Sequence, residues 1–537
     1  MTSLNVLRVA AVAIVAAVTI RKAFELDRFF VPKELVLHLG ACLAALFVFG
    51  ALRRMVRTRV DTLLLAWLVL GAVSAVFATN PWLAARALAI SISSVLLFWT
   101  ARALREAGRG RSVLAALGFG LVLVAIGSLL QTYGVETDLF SINRAPGGTL
   151  GNRNFVAHAA AFGFPVLLFI ALEARRFRGW LGGALGAAIL TGTLVLTRSR
   201  AAWLAFAAVL LLTVVAMLFS PQLRRSGRTW ARLAGVLVLA AAGVAGALLV
   251  PNTLDWRSDE PYLDTARRLA DYEEGSGRGR LIQYGRSLRI AAVHPILGVG
   301  PGNWAVEYPE FAVENDPSMD PSPGGMTFNP WPSSDWIAWI AERGPIAVAV
   351  LAAAFALIAL RSLRQLRVAA SRDEALDPLA LLAILAGAVV TGLFDAVLLL
   401  AFPSFFVWTA LGAAWTPPAR GRGILVPEPT ASLHRDLGPG PGRPGHTWWT
   451  VAVLFLVIAS GAAAARSMLQ IAAMEIYATR EDRESLELAA KLDPGNYDVR
   501  MRLARWSSGD ERCEHALAAV GLYPNADAAQ RLARGCE

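Results

Sequence analysis

Long runs of apolar residues, separated by short polar segments, recur along almost the whole chain. Most runs are about 18 to 24 residues long, the length that a helix needs to cross about 30 Å of hydrocarbon. Backbone groups inside lipid must be hydrogen-bonded within the protein, so such runs predict helices, and the alternation typical of a membrane β-barrel is absent. The pattern therefore predicts an all-α fold, a polytopic membrane helical bundle with about thirteen spans. The predicted spans are 4–20, 34–51, 61–78, 83–100, 112–130, 155–172, 180–197, 201–219, 231–250, 336–360, 378–400, 403–416 and 447–465.

The spacing of these runs divides the chain into four parts. Residues 1–250 hold the N-terminal transmembrane helices, and 251–335 form a large loop that has no apolar run. Residues 336–465 hold the C-terminal transmembrane helices, with a linker rich in Pro and Gly at 417–446. A small polar tail follows at 466–537.

Arginine clusters fall in every second loop of this arrangement. Basic loops stay in the cytoplasm, so the clusters predict an inner-membrane protein with a cytoplasmic N-terminus. The long loop instead carries seven arginines against thirteen acidic residues. We expect it, and the tail beyond an odd number of spans, on the periplasmic side. The clusters are Arg53, Arg54, Arg57 and Arg59; Arg102, Arg105, Arg109 and Arg111; Arg175, Arg176 and Arg178; Arg224, Arg225, Arg228 and Arg232; Arg361, Arg364, Arg367 and Arg372; and Arg420, Arg422, Arg435 and Arg443.

The composition indicates that the protein's partner is a lipid bilayer rather than nucleic acid. With 56% hydrophobic and 17% charged residues, the chain is too apolar for a soluble protein of its length. The net charge of +11 comes almost wholly from arginines in the short loops, where it orients the protein. The three cysteines, Cys42, Cys513 and Cys536, have no metal-ligand spacing, and we predict no metal. Cys513 and Cys536 could form a disulfide or remain thiols.

The tail is predicted to form short amphipathic helices. The sequence Leu-Asp-Pro-Gly-Asn at 492–496 ends one helix and begins another, and Tyr-Pro-Asn-Ala at 523–526 repeats the turn about thirty residues later. This spacing resembles tetratricopeptide repeats. Such a tail could bind a protein partner through 466–537 or simply pack on its neighbours.

Two polar stretches lie next to predicted spans, on the same side of the membrane as the long loop. Residues 147–154 read GGTLGNRN, whose glycines permit tight turns and whose Asn152 and Asn154 could bind a polar ligand or cap a helix. Residues 197–200 read TRSR, and Arg198 and Arg200 lie where the positive-inside rule disfavours arginine. A guanidinium fork suits phosphate oxygens, although snorkelling to lipid headgroups is the alternative.

A third stretch lies in the long loop. Arg280, Arg286 and Arg289 recur at helical spacing and could share one helix face that binds an anion. Salt bridges to nearby acidic residues are the alternative, and the candidates are Asp271, Glu273 and Glu274.

A fourth stretch, Ser333-Ser334-Asp335-Trp336, precedes the next span. Asp335 could cap the N-terminus of that helix or act as a base.

Taken together, these stretches resemble the O-antigen ligase and O-antigen polymerase superfamily of bacterial membrane glycosyltransferases. The similarity extends over about 145 to 345 in the order that the family shows, with the span number and the large loop also in agreement. The elements that carry it are 151–154 (GNRN), 197–200 (TRSR), 295–303 (PILGVGPGN) with Tyr308-Pro309, and the closing Glu342 and Gly344.

The resemblance implies transfer of a glycan from an undecaprenyl-pyrophosphate carrier to a lipid or glycan acceptor at the periplasmic face, without a nucleotide, metal or other cofactor. It implies that Arg200 and Arg280 bind the donor pyrophosphate, with Arg198 and Arg286 nearby. The other positions of these elements are expected to contact the glycan or shape the loop: Asn152, Asn154, Gly300, Asn303 and Glu342.

The sequence departs from the family at one position. Members usually carry a histidine nine residues before the glutamate of the closing element, and here that position is Ser333. Serine is a poor base unaided, so Asp335 or His294 could take its place. The leading hypothesis is a ligase-type transferase. The alternatives are a polymerase or protein O-oligosaccharyltransferase of the same superfamily, an inactive scaffold of a polysaccharide assembly complex, and a transporter, which would need ionisable residues inside the spans.

Overall fold

The computed structural model describes residues 2–24, 26–269, 275–322, 324–415 and 447–536. These residues form helices and connecting segments, and no β-strand occurs among them. In chain order the α-helices are α1 Ser3–Ala16, α2 Asp27–Phe47, α3 Phe49–Arg54, α4 Arg59–Val76, α5 Pro81–Glu106, α6 Gly110–Thr132, α7 Arg153–Glu173, α8 Phe177–Leu196, α9 Arg200–Phe219, α10 Pro221–Arg224, α11 Gly227–Leu249, α12 Pro261–Arg267, α13 Gly275–Val293, α14 Trp304–Phe311, α15 Asp335–Val368, α16 Arg372–Phe394, α17 Ala401–Ala413, α18 Thr447–Thr479, α19 Arg483–Leu492, α20 Tyr497–Trp506, α21 Gly509–Leu522 and α22 Asp527–Ala533.

The predicted all-α membrane bundle is confirmed. In the described part of the chain, eleven helices are long and apolar enough to cross a membrane. The predicted spans at 4–20 and 403–416 are helices α1 and α17, but these have only 14 and 13 residues. At 1.5 Å per residue, helices of that length reach only about 20 Å, short of the hydrocarbon thickness. Helix α17 is buried along its whole length, as expected of a core helix.

Small residues allow the helices to approach closely. Helices α8 and α11 cross at Gly192 and Gly243, and a side chain on Gly243 would overlap the backbone of Ala188. Close backbone contact of this kind takes the place of the hydrophobic effect, which does not drive helix association inside lipid.

The long loop packs on one end of the bundle, which we call the loop side. Its Thr253 N–H donates to the Thr132 carbonyl at the end of α6 (3.0 Å), and its Asn303 pairs with Asn80 at the start of α5. The arginines at the other end of α5, Arg102 and Arg105, therefore lie on the opposite side.

The closing element forms the tightest junction between loop and bundle. The Val299 and Gly300 N–H groups donate to the carbonyls of Ala341 (3.0 Å) and Glu342 (2.8 Å). Gly344 breaks α15 here with φ 76° and ψ 160°, a conformation that is essentially restricted to glycine. A Cβ on Gly344 would overlap the Ile296 carbonyl, so the family element 295–303 can close only on a glycine.

The tail forms four short helices, α19 to α22, and packs on the rest of the protein. The Asn80 amide donates to the Leu522 carbonyl (3.2 Å), and the Asn525 amide donates to the Val306 carbonyl (3.3 Å). A disulfide joins Cys513 to Cys536. The tetratricopeptide resemblance stays a prediction. The linker predicted at 417–446 lies outside the described residues.

Candidate functional site: an arginine cavity on the loop side

A cavity of about 790 Å³ lies where the long loop folds over the loop-side ends of α7 and α9. We call it the arginine cavity. Its guanidinium groups come from three parts of the sequence: the start of α7, the turn between α8 and α9, and the loop on either side of α12. The five arginines are Arg153, Arg198, Arg200, Arg257 and Arg268.

Trp256 holds two of these arginines in place. The guanidinium groups of Arg153 and Arg198 both lie over its ring, at 4.9 and 4.7 Å from the ring centroid. These cation–π contacts restrict both side chains without neutralising their charge. Trp256 is therefore a positioning residue for the cavity.

The turn between α8 and α9 directs Arg198 and Arg200 toward the loop. Arg198 adopts a left-handed conformation with φ 53°, and its Nε donates to the Thr265 hydroxyl (3.0 Å). Arg200 begins α9, and its Nη1 donates to the Arg268 carbonyl (2.7 Å). Each bond uses one of the five N–H donors of its arginine and restrains the guanidinium group.

The cavity carries an excess of positive charge among the described residues. Two aspartates, Asp255 and Asp264, stand against its five arginines. Burial lowers the pKa of the Arg198 guanidinium, while Tyr262 and Asp264 act in the opposite direction. Partly desolvated guanidinium groups bind phosphate oxygens through strong, often bidentate hydrogen bonds. The arrangement suits an anion with several oxygens.

Of the four arginines predicted to bind the pyrophosphate, Arg198 and Arg200 line the arginine cavity together. Within the described residues, neither Arg280 nor Arg286 lines the arginine cavity. Both lie on α13, where Arg286 is near Tyr308 and Arg280 is close enough to interact electrostatically with His158. The acidic residues proposed as alternative partners, Asp271, Glu273 and Glu274, lie outside the described residues.

Residues 185–352 match the sequence model of the family described as O-antigen ligase. This central part of the chain is therefore similar to O-antigen ligases. The matched stretch contains Arg198, Arg200, the long loop and the closing element at Glu342. Comparison with curated proteins finds no match.

The similarity of this stretch to the O-antigen ligase family supports a membrane glycosyltransferase activity in general terms.

Asp335 anchors a loop. It is fully buried, and its carboxylate accepts the N–H groups of Val397 (2.8 Å), Leu398 (2.8 Å) and Leu399 (3.2 Å). The helix cap of α15 is instead Ser334, whose hydroxyl accepts the Ile337 N–H. With three donors on its two oxygens, Asp335 is placed to hold the segment after α16, which also explains why the span predicted at 378–400 ends at Phe394.

Ser333, at the position of the family histidine, is held through its backbone. Its N–H donates to the Gln283 side chain (2.7 Å), and its carbonyl accepts from the Tyr284 hydroxyl (2.5 Å). Both partners lie on α13. His294, the other candidate base, is exposed just beyond the end of α13.

A histidine that sequence reasoning missed lies nearby. His158 of α7 is 1% exposed, and its Nδ1 is 3.7 Å from Oδ2 of Asp395 at the end of α16. Neither ring nitrogen has a hydrogen-bond partner within the described residues. An ionisable residue inside a predicted span was the available signal, because such residues are costly in lipid and often functional.

The asparagines and the loop glycine shape the site through local bonds. Asn152 caps α7 by accepting the Asn154 N–H (3.0 Å). Asn303 is buried and pairs with Asn80, accepting its N–H (2.7 Å) and donating to its carbonyl (3.1 Å). Gly300 has φ 98°, where a side chain would overlap Ala78. These residues build the loop and position its neighbours.

Proposed function

We propose that this protein is a ligase-type glycosyltransferase that moves a glycan from an undecaprenyl-pyrophosphate carrier to an acceptor hydroxyl at the periplasmic face of the bacterial inner membrane. The observation that carries the proposal is the arginine cavity, formed at one end of the bundle within and beside the family-matched region. A lipid carrier would keep its hydrocarbon chain in the bilayer and place its pyrophosphate in the arginine cavity at the end of the bundle.

The arginines of the cavity would stabilise the pyrophosphate leaving group. In the transfer, the acceptor oxygen forms a bond to the anomeric carbon while the bond from that carbon to the pyrophosphate oxygen breaks. Negative charge grows on the pyrophosphate as it leaves with the bonding electron pair. Guanidinium groups already fixed by Trp256, Thr265 and the Arg268 carbonyl can stabilise that charge without reorganising.

The proton of the acceptor hydroxyl also needs a destination. Asp335 has its oxygens occupied by backbone donors, and His294 is exposed beyond α13. The pair of His158 and Asp395 joins an imidazole to a carboxylate next to Arg280. His158 lies five residues after Arg153 of the arginine cavity on α7, so we assign proton uptake to this pair rather than to the residues suggested by the sequence.

A reconstituted assay tests the function. The purified protein in lipid nanodiscs receives an undecaprenyl-pyrophosphate-linked oligosaccharide with, in separate reactions, a lipid A core, a second donor molecule and an acceptor peptide. We expect glycan transfer to the lipid A core and release of undecaprenyl pyrophosphate. Transfer to the second donor or to the peptide would replace the ligase assignment by a polymerase or a protein glycosylating enzyme. A bound donor without turnover on any acceptor would contradict catalysis and favour a scaffold.

A further inference from the structure

A second cavity, of about 800 Å³, lies between the bundle, the long loop and the tail. We call it the tail cavity. Its walls come from the loop-side starts of α2 and α5, from the closing element at Glu342, from α18, and from the tail near Asn496. No described residue lines both this cavity and the arginine cavity.

Three buried residues that line the tail cavity carry polar atoms without a hydrogen-bond partner. Glu342 Oε2, Arg343 Nε and Nη1, and Gln470 Oε1 have no hydrogen-bond partner in the described residues, although each side chain lines the cavity. All three residues are more than nine-tenths buried. A buried polar group without a partner costs free energy, so a wall that contains three such residues favours a polar occupant over an apolar one.

The rest of the lining combines aromatic rings with charged groups of both signs. Trp82, Trp331, Tyr477 and Tyr523 contribute rings, and Arg86 is held between Asp27 (2.7 Å) and Glu34 (2.8 Å). Six carboxylates stand against four arginines, which is the opposite balance to the arginine cavity. The carboxylates are Asp27, Glu34, Asp320, Glu342, Asp493 and Asp498, and the arginines are Arg86, Arg144, Arg343 and Arg466.

This chemistry selects among ligand classes. The acidic excess disfavours a pyrophosphate, and the many buried charges disfavour an acyl chain. A sugar ring has hydroxyls that both donate to carboxylates and accept from guanidinium groups, and apolar ring faces that pack on aromatic side chains. The size also suits more than a single ring, since small-molecule sites usually have volumes of about 300 to 1,000 Å³.

We propose that the tail cavity binds a saccharide chain, which is the sugar part of the acceptor, and that the C-terminal tail forms one wall of this site. The identity of the sugar as acceptor rests on the proposed function, whereas the binding itself does not. Two contacts hold the tail at the start of α5: Gly495 lies directly against Trp82, and the Leu522 carbonyl accepts from the Asn80 side chain.

The test measures sugar binding without transfer. The full-length protein in nanodiscs is applied to an array of immobilised oligosaccharides built from hexoses, hexosamines and uronic acids. We expect retention on a subset of them, and a loss of about tenfold or more in affinity for Glu342→Gln and for Gln470→Met. Glu342 also accepts the Trp304 N–H (3.4 Å), so its variant could fail to fold. Gln470→Met keeps the side-chain length and removes no hydrogen bond seen among the described residues, so it keeps the test decisive.

Arg198→Ala separates this inference from the proposed function. It should retain sugar binding while losing the lipid-linked donor. Absence of sugar binding by the unaltered protein, or unchanged binding by Gln470→Met, would overturn the saccharide site. Sugar binding that persists when donor and transfer assays both fail would support the saccharide site and overturn the proposed function.

Discussion

Replacing Arg198 or Arg200 with alanine is expected to lower the glycan transfer rate by about 10² to 10³, because each change removes a fixed donor from a developing negative charge. The fixed geometry makes the effect large. Arg198 is held between Trp256 and Thr265, and Arg200 on the Arg268 carbonyl, so neither can be replaced by a neighbour without rearrangement. The rate of transfer per correctly inserted molecule, measured in nanodiscs, is the quantity to compare.

Arg289→Ala is the matched control for these variants. Arg289 is an exposed arginine of the same loop, on α13, outside the lining of the arginine cavity in the described structure. Its removal should leave the transfer rate within about twofold of the unaltered protein, as expected of a surface charge. Arg198→Lys should give an intermediate rate, because lysine keeps the charge but loses the planar fork. Full activity in both alanine variants would show that the cavity does not serve the leaving group.

Replacing Asp335 with alanine is expected to destabilise the protein by about 3 kcal/mol or more, since it leaves two buried backbone N–H groups and a half-buried one without their acceptor. Those groups belong to Val397, Leu398 and Leu399, which connect α16 to the core helix α17. The measurement is thermal unfolding in detergent, followed alongside the transfer rate per folded molecule. We expect a lower unfolding temperature and a folded fraction that still transfers glycan.

Asp335→Asn distinguishes an anchor from a base. Asparagine keeps one acceptor oxygen, so it should recover part of the lost stability. If Asp335 were the base, Asp335→Asn would unfold at an unchanged temperature and show almost no transfer. That result would return the catalytic assignment to Asp335 and remove it from the pair of His158 and Asp395.

Most of the fold follows from local sequence pattern. The apolar runs identified the spanning helices because run length, hydrocarbon thickness and helix rise are directly related. The same relation does not distinguish a short span from a core helix, so α1 and α17 were counted as spans. The break in α15 at Gly344 was also invisible, because only contact with the Ile296 carbonyl requires it.

The sequence could predict a site residue only where its residue type is unusual for its position relative to the membrane. Arg198 and Arg200 attracted notice because arginine is disfavoured at the loop-side end of a span. Arg257, Arg268 and Trp256 lie in a polar loop where such residues are ordinary, and only the folding of that loop onto α7 and α9 gives them a role. Regular spacing on α13 linked Arg280 to Arg286 but could not say which surface that helix would face.

In the tail, too, the local sequence pattern predicts helix boundaries but not tertiary contacts. Its turns at 492–496 and 523–526 predicted short helices, and the structure has helix boundaries at both. Nothing in those turns indicates that Asn80 and Val306 receive the tail, or that the tail closes a cavity over the bundle. Of the two alternatives for the tail, packing on its neighbours is the one that the structure displays.

The central claim is that the arginine cavity binds the pyrophosphate of a lipid carrier. Binding of undecaprenyl pyrophosphate to the purified protein in nanodiscs, measured against undecaprenol in the same lipid, tests it most directly. The account predicts that the unaltered protein prefers the pyrophosphate and that the double variant Arg198→Ala with Arg200→Ala loses this preference by about tenfold or more, while Arg289→Ala retains it. Equal binding of the two lipids by the unaltered protein, or an unchanged preference in the double variant, would contradict the account.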